Sequence, residues 1–75
     1  MDLNNLQLGD TITIQEKDYE VLDITEEKDP ETKQLYLLIQ LDKNYTIKYF
    51  PTTETCYLCN QDNKTLIKAD EIKLL

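Results

Sequence analysis

The chain alternates apolar and polar residues in short runs, the signature of half-buried β-strands. Thr11-Ile12-Thr13-Ile14-Gln15 places Ile12 and Ile14 on one face. Glu16-Lys17-Asp18 reads as a polar turn, and Tyr19 to Ile24 as a second strand. There the alternation slips: Tyr19 and Val21 share a face, but Ile24 stands three beyond Val21. A bulge near Leu22-Asp23 would return Ile24 to the core side and bend the strand, as a small barrel requires.

Glu26 to Lys33, EEKDPETK, reads as a turn, with Pro30 setting a corner and Asp29 hydrogen-bonding ahead of it. Gln34 to Leu41 is the most apolar run. Leu35, Leu37, Ile39 and Leu41 fall on one face and Tyr36 and Leu38 on the other, which predicts a central strand covered on both sides. After a turn at Asp42-Lys43-Asn44, Tyr45 to Phe50 alternates, with Tyr45, Ile47 and Tyr49 together and Phe50 opposed. Pro51 ends that strand, since proline cannot donate to a ladder. Cys56 to Cys59, a turn over 60–63 and Lys64 to Lys68 follow. Ala69 to Leu75 fits either one helical turn capped by Asp70 or a closing strand. Leu3, Leu6 and Leu8 suggest a short N-terminal lid.

Strands at roughly 8–12-residue spacing argue for an all-β fold: a small antiparallel five- or six-stranded barrel with that lid. Residues 1–75 form a single domain, with no repeat or linker. The run Leu8-Gly9-Asp10-Thr11-Ile12-Thr13-Ile14, followed by Tyr19-x-Val21-x-x-Ile24, resembles the opening of SH3-like small barrels. In those, a Gly-Asp corner leads into the first strand and a Tyr-x-Val strand follows a short loop. The resemblance covers about the first third of the chain. It implies a binding or scaffolding module more often than an enzyme and transfers no binding residue.

Composition narrows the chemistry. Fifteen Asp and Glu face eight Lys, with no Arg, for a net charge of −7. Phosphate binding draws on clustered Lys and Arg, so direct nucleic-acid or anionic-membrane binding is not expected. A basic protein surface is the expected partner. His, Ser, Arg and Trp are absent and only one Gly is present. Histidine general-base chemistry, Ser and Cys–His nucleophiles and phosphate-cradling glycine loops are thereby excluded. No catalysis and no cofactor are expected. The N-terminus lacks a basic n-region and no segment reaches membrane-span length, so a cytoplasmic chain with reduced thiols is the expectation. No feature calls for a homo-oligomer.

Three constellations remain. Cys56 and Cys59 have C-x-x-C spacing, but a structural zinc site wants four ligands. Glu54 and Asp62 could add to the pair, or two copies could share a site of four thiolates. In an extended strand, however, positions i and i+3 point to opposite faces. Packed structural thiols are the preferred reading, and a metal- or thiol-dependent homodimer is the class-distinct alternative.

Residues 16 to 31 carry Glu16, Asp18, Glu20, Asp23, Glu26, Glu27, Asp29 and Glu31 against Lys17 and Lys28, six of the seven net negative charges. Their plain reading is a solvated hairpin. The functional reading is a docking surface for a basic groove, including mimicry of nucleic acid to inhibit an enzyme that handles it. No calcium-loop pattern is present. Finally, Tyr45 and Tyr49 are candidates for an aromatic contact, although tyrosine equally suits half-buried sheet positions. An exposed tyrosine cluster beside the acidic hairpin would mark a contact surface.

Overall fold

The computed structural model describes residues 3–75. Seven antiparallel strands follow one another: β1 (Thr11–Ile14), β2 (Lys17–Lys28), β3 (Leu35–Leu41), β4 (Thr46–Phe50), β5 (Thr55–Cys59), β6 (Lys64–Ile67) and β7 (Ile72–Leu74). They form one sheet in the order β6-β5-β4-β3-β2-β1-β7. The sheet is curled into a half-barrel, and its inward side chains make one core. The edge strands β6 and β7 are consecutive in the chain, joined by Lys68 and the 3-10 turn Ala69–Glu71. The short connection brings the two ends of the sheet back toward each other.

The expected all-β class holds, and among the described residues the strands number seven rather than five or six. Ala69 to Leu75 resolves into both expected forms in succession, a 3-10 turn and then a strand paired with β1 through Ile14–Ile72 and Ile12–Leu74. Asp70 does not cap that turn: Lys68 holds the cap position, with no side-chain capping bond. Ile72 carries the closing strand, because its side chain is buried in the common core.

The slip in β2 is a bulge. Val21 pairs with Leu41 and Asp23 with Gln40, leaving Leu22 between them, 53% exposed. Ile24 thereby packs against the core. The bulge divides β2: its first half pairs with β1 and its second with β3. The Gly9-Asp10 corner clamps this bend. Gly9 donates to the Val21 carbonyl at 2.9 Å and Val21 donates back to the Asp10 carbonyl at 2.8 Å. Gly9 has φ +89°, a conformation that glycine adopts at little cost.

Two expectations are corrected here. The turn predicted over Glu26 to Lys33 is shorter, because β2 continues to Lys28 and pairs Glu26–Leu37, Glu27–Tyr36 and Lys28–Leu35. Polar residues are tolerated there because the arm runs beyond the core. The turn is built on Asp29, whose carboxylate accepts from the Glu31 N–H at 2.9 Å. Second, β3 is not covered on both sides. Ile39 and Leu41 are buried, Leu35 is exposed, and Tyr36 and Leu38 are half-buried.

At the N-terminus a 3-10 turn, Leu3–Asn5, closes over the core with Leu3 and Leu6 buried, whereas Leu8 is exposed. The lid is thus present from Leu3 onward; Met1 and Asp2 lie outside the described residues.

Candidate functional site

The outer side of β2 gathers much of the acidic charge. Tyr19 and Val21 point inward, which turns Asp18 and Glu20 outward. Without the bulge, strict alternation would turn Asp23 toward the core. With it, Ile24 takes the inward place and Asp23, Thr25 and Glu27 fall on the outer side. The bulge therefore does two jobs: it completes the core and keeps the acidic row continuous across the bend.

The eight acidic candidates are not equivalent. Asp23 accepts from the Ile24 N–H at 3.0 Å and so braces the bulge. Asp29 holds its turn. Asp18 accepts from the Thr13 hydroxyl at 2.9 Å, and the Lys43 ammonium donates to the Asp18 carbonyl at 2.7 Å. Glu16 sits in the β1–β2 turn at φ +67°. Glu26 is on the inward parity of the arm but past the core, hence exposed, and Glu31 is exposed in the following turn. Glu20 and Glu27 are exposed outward positions on β2. The row that the fold assembles is Asp18, Glu20, Asp23 and Glu27; Glu16, Glu26, Asp29 and Glu31 lie off it.

The tyrosines divide. Tyr49 is 8% exposed and belongs to the core, so its side chain offers little contact surface. Tyr45 is half-buried, edge-on to the buried Tyr19 at 5.2 Å. The Lys43 ammonium lies 5.2 Å from the Tyr19 ring. Burial first, then Tyr45 and Asp42, raise the Tyr19 pKa, so its phenol stays protonated.

The aromatic cluster on the outer face consists of other residues: Tyr36, Phe50 and Tyr57. Tyr36 and Phe50 have centroids 5.1 Å apart, and Phe50 and Tyr57 6.2 Å apart. Lys48 reaches over Tyr36 at 5.6 Å and Lys64 over Tyr57 at 4.3 Å. These are cation–π distances. The cluster adjoins the acidic row, since Glu27 pairs with Tyr36. Its sequence signal was parity: each of the three rings falls opposite to the core residues of its strand. Strand register was needed to bring them together.

The thiols lie on opposite faces of β5. Cys56 is fully buried opposite Tyr49 and Ile67, while Cys59 is half-exposed on the outer side. Cys56 with Leu58 inward and Tyr57 with Cys59 outward is the arrangement that strand alternation predicts. Burial pushes the Cys56 thiol up to about 11. A pair so divided does not chelate, and the buried member cannot reach a ligand shared with another copy.

A concavity of about 840 Å³ lies between the N-terminal turn, the β4–β5 turn and the β6 end. Its polar groups include Asn4, Glu54, Lys68 and Asp70. No helix of the described residues is long and apolar enough to cross a membrane. Comparison with known protein families, with curated proteins and with solved structures finds no match.

Proposed function

We propose that this chain is a non-catalytic protein-interaction module whose acidic β2 side docks on a basic partner surface. The observation that carries this reading is the bulge-preserved row Asp18, Glu20, Asp23 and Glu27. Clustered like charge on one strand opposes the compact state, and its natural counterpart is a lysine- or arginine-rich surface. The SH3-like reading of the barrel belongs with this proposal. It is supported by the Gly9-Asp10 corner entering β1 and by the inward Tyr19 and Val21 of β2.

A nucleic-acid mimic is the second reading. Alternate residues on an extended strand stand about 6.7 Å apart, which gives Asp18 and Glu20 a regular spacing of outward carboxylates.

The test is capture of partners from the native host by the immobilised protein, at low and moderate salt, followed by titration of the recovered partner. One basic protein should bind stoichiometrically. Joint reversal of Glu20 and Glu27 to Lys should weaken it by at least about tenfold, roughly 1.4 kcal/mol. Competition by nucleic acid for the same partner would select mimicry. Wild-type affinity in the reversed variant would sink both readings.

A further inference from the structure

We infer that the free edge of β6 is a docking strand for an extended, carboxylate-bearing peptide segment of a partner protein. This surface is distinct from the acidic row, and its use does not depend on that row.

β6 ends the sheet beyond β5. The Asn60 N–H donates to the Asn63 carbonyl at 2.9 Å, so that pair is a hydrogen-bonded one. Bonded and non-bonded pairs alternate along an antiparallel ladder. Leu58–Thr65 and Cys56–Ile67 are therefore bonded pairs, and Cys59–Lys64 and Tyr57–Leu66 are not. The N–H and C=O groups of Lys64 and Leu66 thus point away from β5, out of the open edge. Lys64, Thr65 and Leu66 are all exposed. Lysines on edge strands commonly block strand addition. Here the Lys64 ammonium is drawn back over the Tyr57 ring at 4.3 Å, on the outer face, and does not cover the edge.

A recess adjoins the same edge on its inner side. It measures about 290 Å³, and its lining includes Gln15, Lys17, Tyr45, Asn60 and Thr65. Lys17 has the inward parity of Tyr19. The Asn60 side-chain oxygen accepts from the Asp62 and Asn63 N–H groups at 3.0 and 2.7 Å, so its NH2 is left to donate. Among the described residues no Asp or Glu lines this recess, in a chain with fifteen. An ammonium and amides without a competing carboxylate suit a carboxylate ligand.

An added strand that pairs antiparallel, like every other pairing in this sheet, has a fixed pattern. Its residues opposite Lys64 and Leu66 exchange main-chain bonds and share their outer face. Apolar side chains fit there, because Leu66 is 67% exposed and stands opposite Tyr57. The residue between them, opposite Thr65, turns its side chain toward the recess and Lys17, which calls for Glu or Asp. Laid on a second copy of itself, β6 would offer the recess only Thr65, a short neutral side chain. The β7 edge is three residues long and follows Asp70 and Glu71, which repel a carboxylate. A contact of this length gives a weak, exchangeable complex.

The test is amide-resolved titration of the labelled chain with the capped heptapeptide Val-Glu-Val-Glu-Val-Glu-Val, to about 2 mM at about 0.15 M salt. The midpoint should fall below about 1 mM. Hydrogen exchange at Lys64 and Leu66 should slow about threefold or more, with less change at Thr65 and Ile67, whose amides already bond to β5. N-methylation of the valines should abolish binding, and N-methylation of the glutamates should leave it within about threefold. The peptide with Lys in place of Glu should bind at least about tenfold more weakly, and Lys17→Glu should reverse that preference. Leu66→Pro removes only an outward N–H and should weaken binding at least about tenfold; the methylated peptides probe the same bonds without altering the protein. No saturable shift at about 2 mM, shifts confined away from β6, or equal binding of the two methylated peptides would each overturn the inference. So would protection of Lys64 and Leu66 that grows with protein concentration alone, which would give the edge to a second copy.

Discussion

Val21 faces Leu41 across the β2–β3 ladder while Asp23, two residues on, faces Gln40. Two steps along one strand are matched by one along the other. The extra residue, Leu22, is exposed, yet it allows β2 to leave β1 and join β3 with Ile24 inward and Asp23 outward. Its backbone is needed more than its side chain.

Leu22→Thr should therefore cost less than about 1 kcal/mol, as a substitution at an exposed position. Deletion of Leu22 keeps the alternation of faces intact but removes the bend. It should cost at least about 3 kcal/mol, since the core residues of the two parts of the sheet would no longer meet. Urea unfolding of both variants checks this. Equal stability of the deletion and the substitution would show that the bulge is dispensable.

The two thiols should behave as separate chemical species. Cys59 should react with an aromatic disulfide reagent in the native state, and Cys56 only at the rate of unfolding. Cys56 also sets a pH dependence. Its folded pKa is raised from 9.0 to about 11 by burial. The folded state thus holds its proton where the unfolded state has released it. The stability linked to this group is fully present below about pH 9 and is lost by about pH 11. Tyr19 acts in the same direction, its pKa being raised as well. Comparison with Cys56→Ala isolates the thiol: the variant should be less stable by about 1–2 kcal/mol at pH 7, with a shallower alkaline decline. Parallel pH profiles would show that the thiol makes no linked contribution.

The face of each residue was legible in the sequence; which faces meet was not. Period-two alternation put Cys56 with Leu58 and Ile47 with Tyr49 on common faces, and the slip after Val21 announced the bulge, but that Tyr49 lies in the core rather than on a contact surface came from the structure. The arm beyond Thr25 was hidden because its residues are polar on both faces, so no alternation marks a strand. Cross-strand bonds from Glu26 to Lys28 hold it instead. The Tyr36–Phe50–Tyr57 cluster was hidden for a different reason. It spans three strands, and residues of one strand carry no register information about the next. For the same cause Tyr45 and Tyr49, adjacent on one face, appeared as a pair, whereas the structure separates them between the rim and the core.

Gly9 provides a direct test of the corner that closes on the bulge. Its φ of +89° is strained for any side chain, although an added Cβ would meet no atom within 4 Å. Gly9→Ala should therefore lose about 1–2 kcal/mol through backbone strain alone, without steric clash. The loss should be accompanied by faster hydrogen exchange at Gly9 and Val21, whose amides bond across the corner. An unchanged melting temperature would mean that the corner is not under conformational demand.

The opposite substitution applies at the β1–β2 turn. Gln15 and Glu16 both adopt left-handed conformations, with φ +52° and +67°. Two-residue hairpin turns of this kind favour Asn-Gly, because the second position is the natural place for glycine. Two effects oppose each other in Glu16→Gly. Glycine relieves about 1–2 kcal/mol of left-handed strain, but costs about 0.5–1 kcal/mol more entropy on folding. The balance favours a gain of about 0.5–1 kcal/mol, read as a higher urea midpoint at unchanged slope. Glu16 lies off the acidic row, so the same variant should bind a basic partner as the wild type does. If stability rises and binding falls, Glu16 belongs to the docking surface, and its strained turn is held for contact rather than for folding.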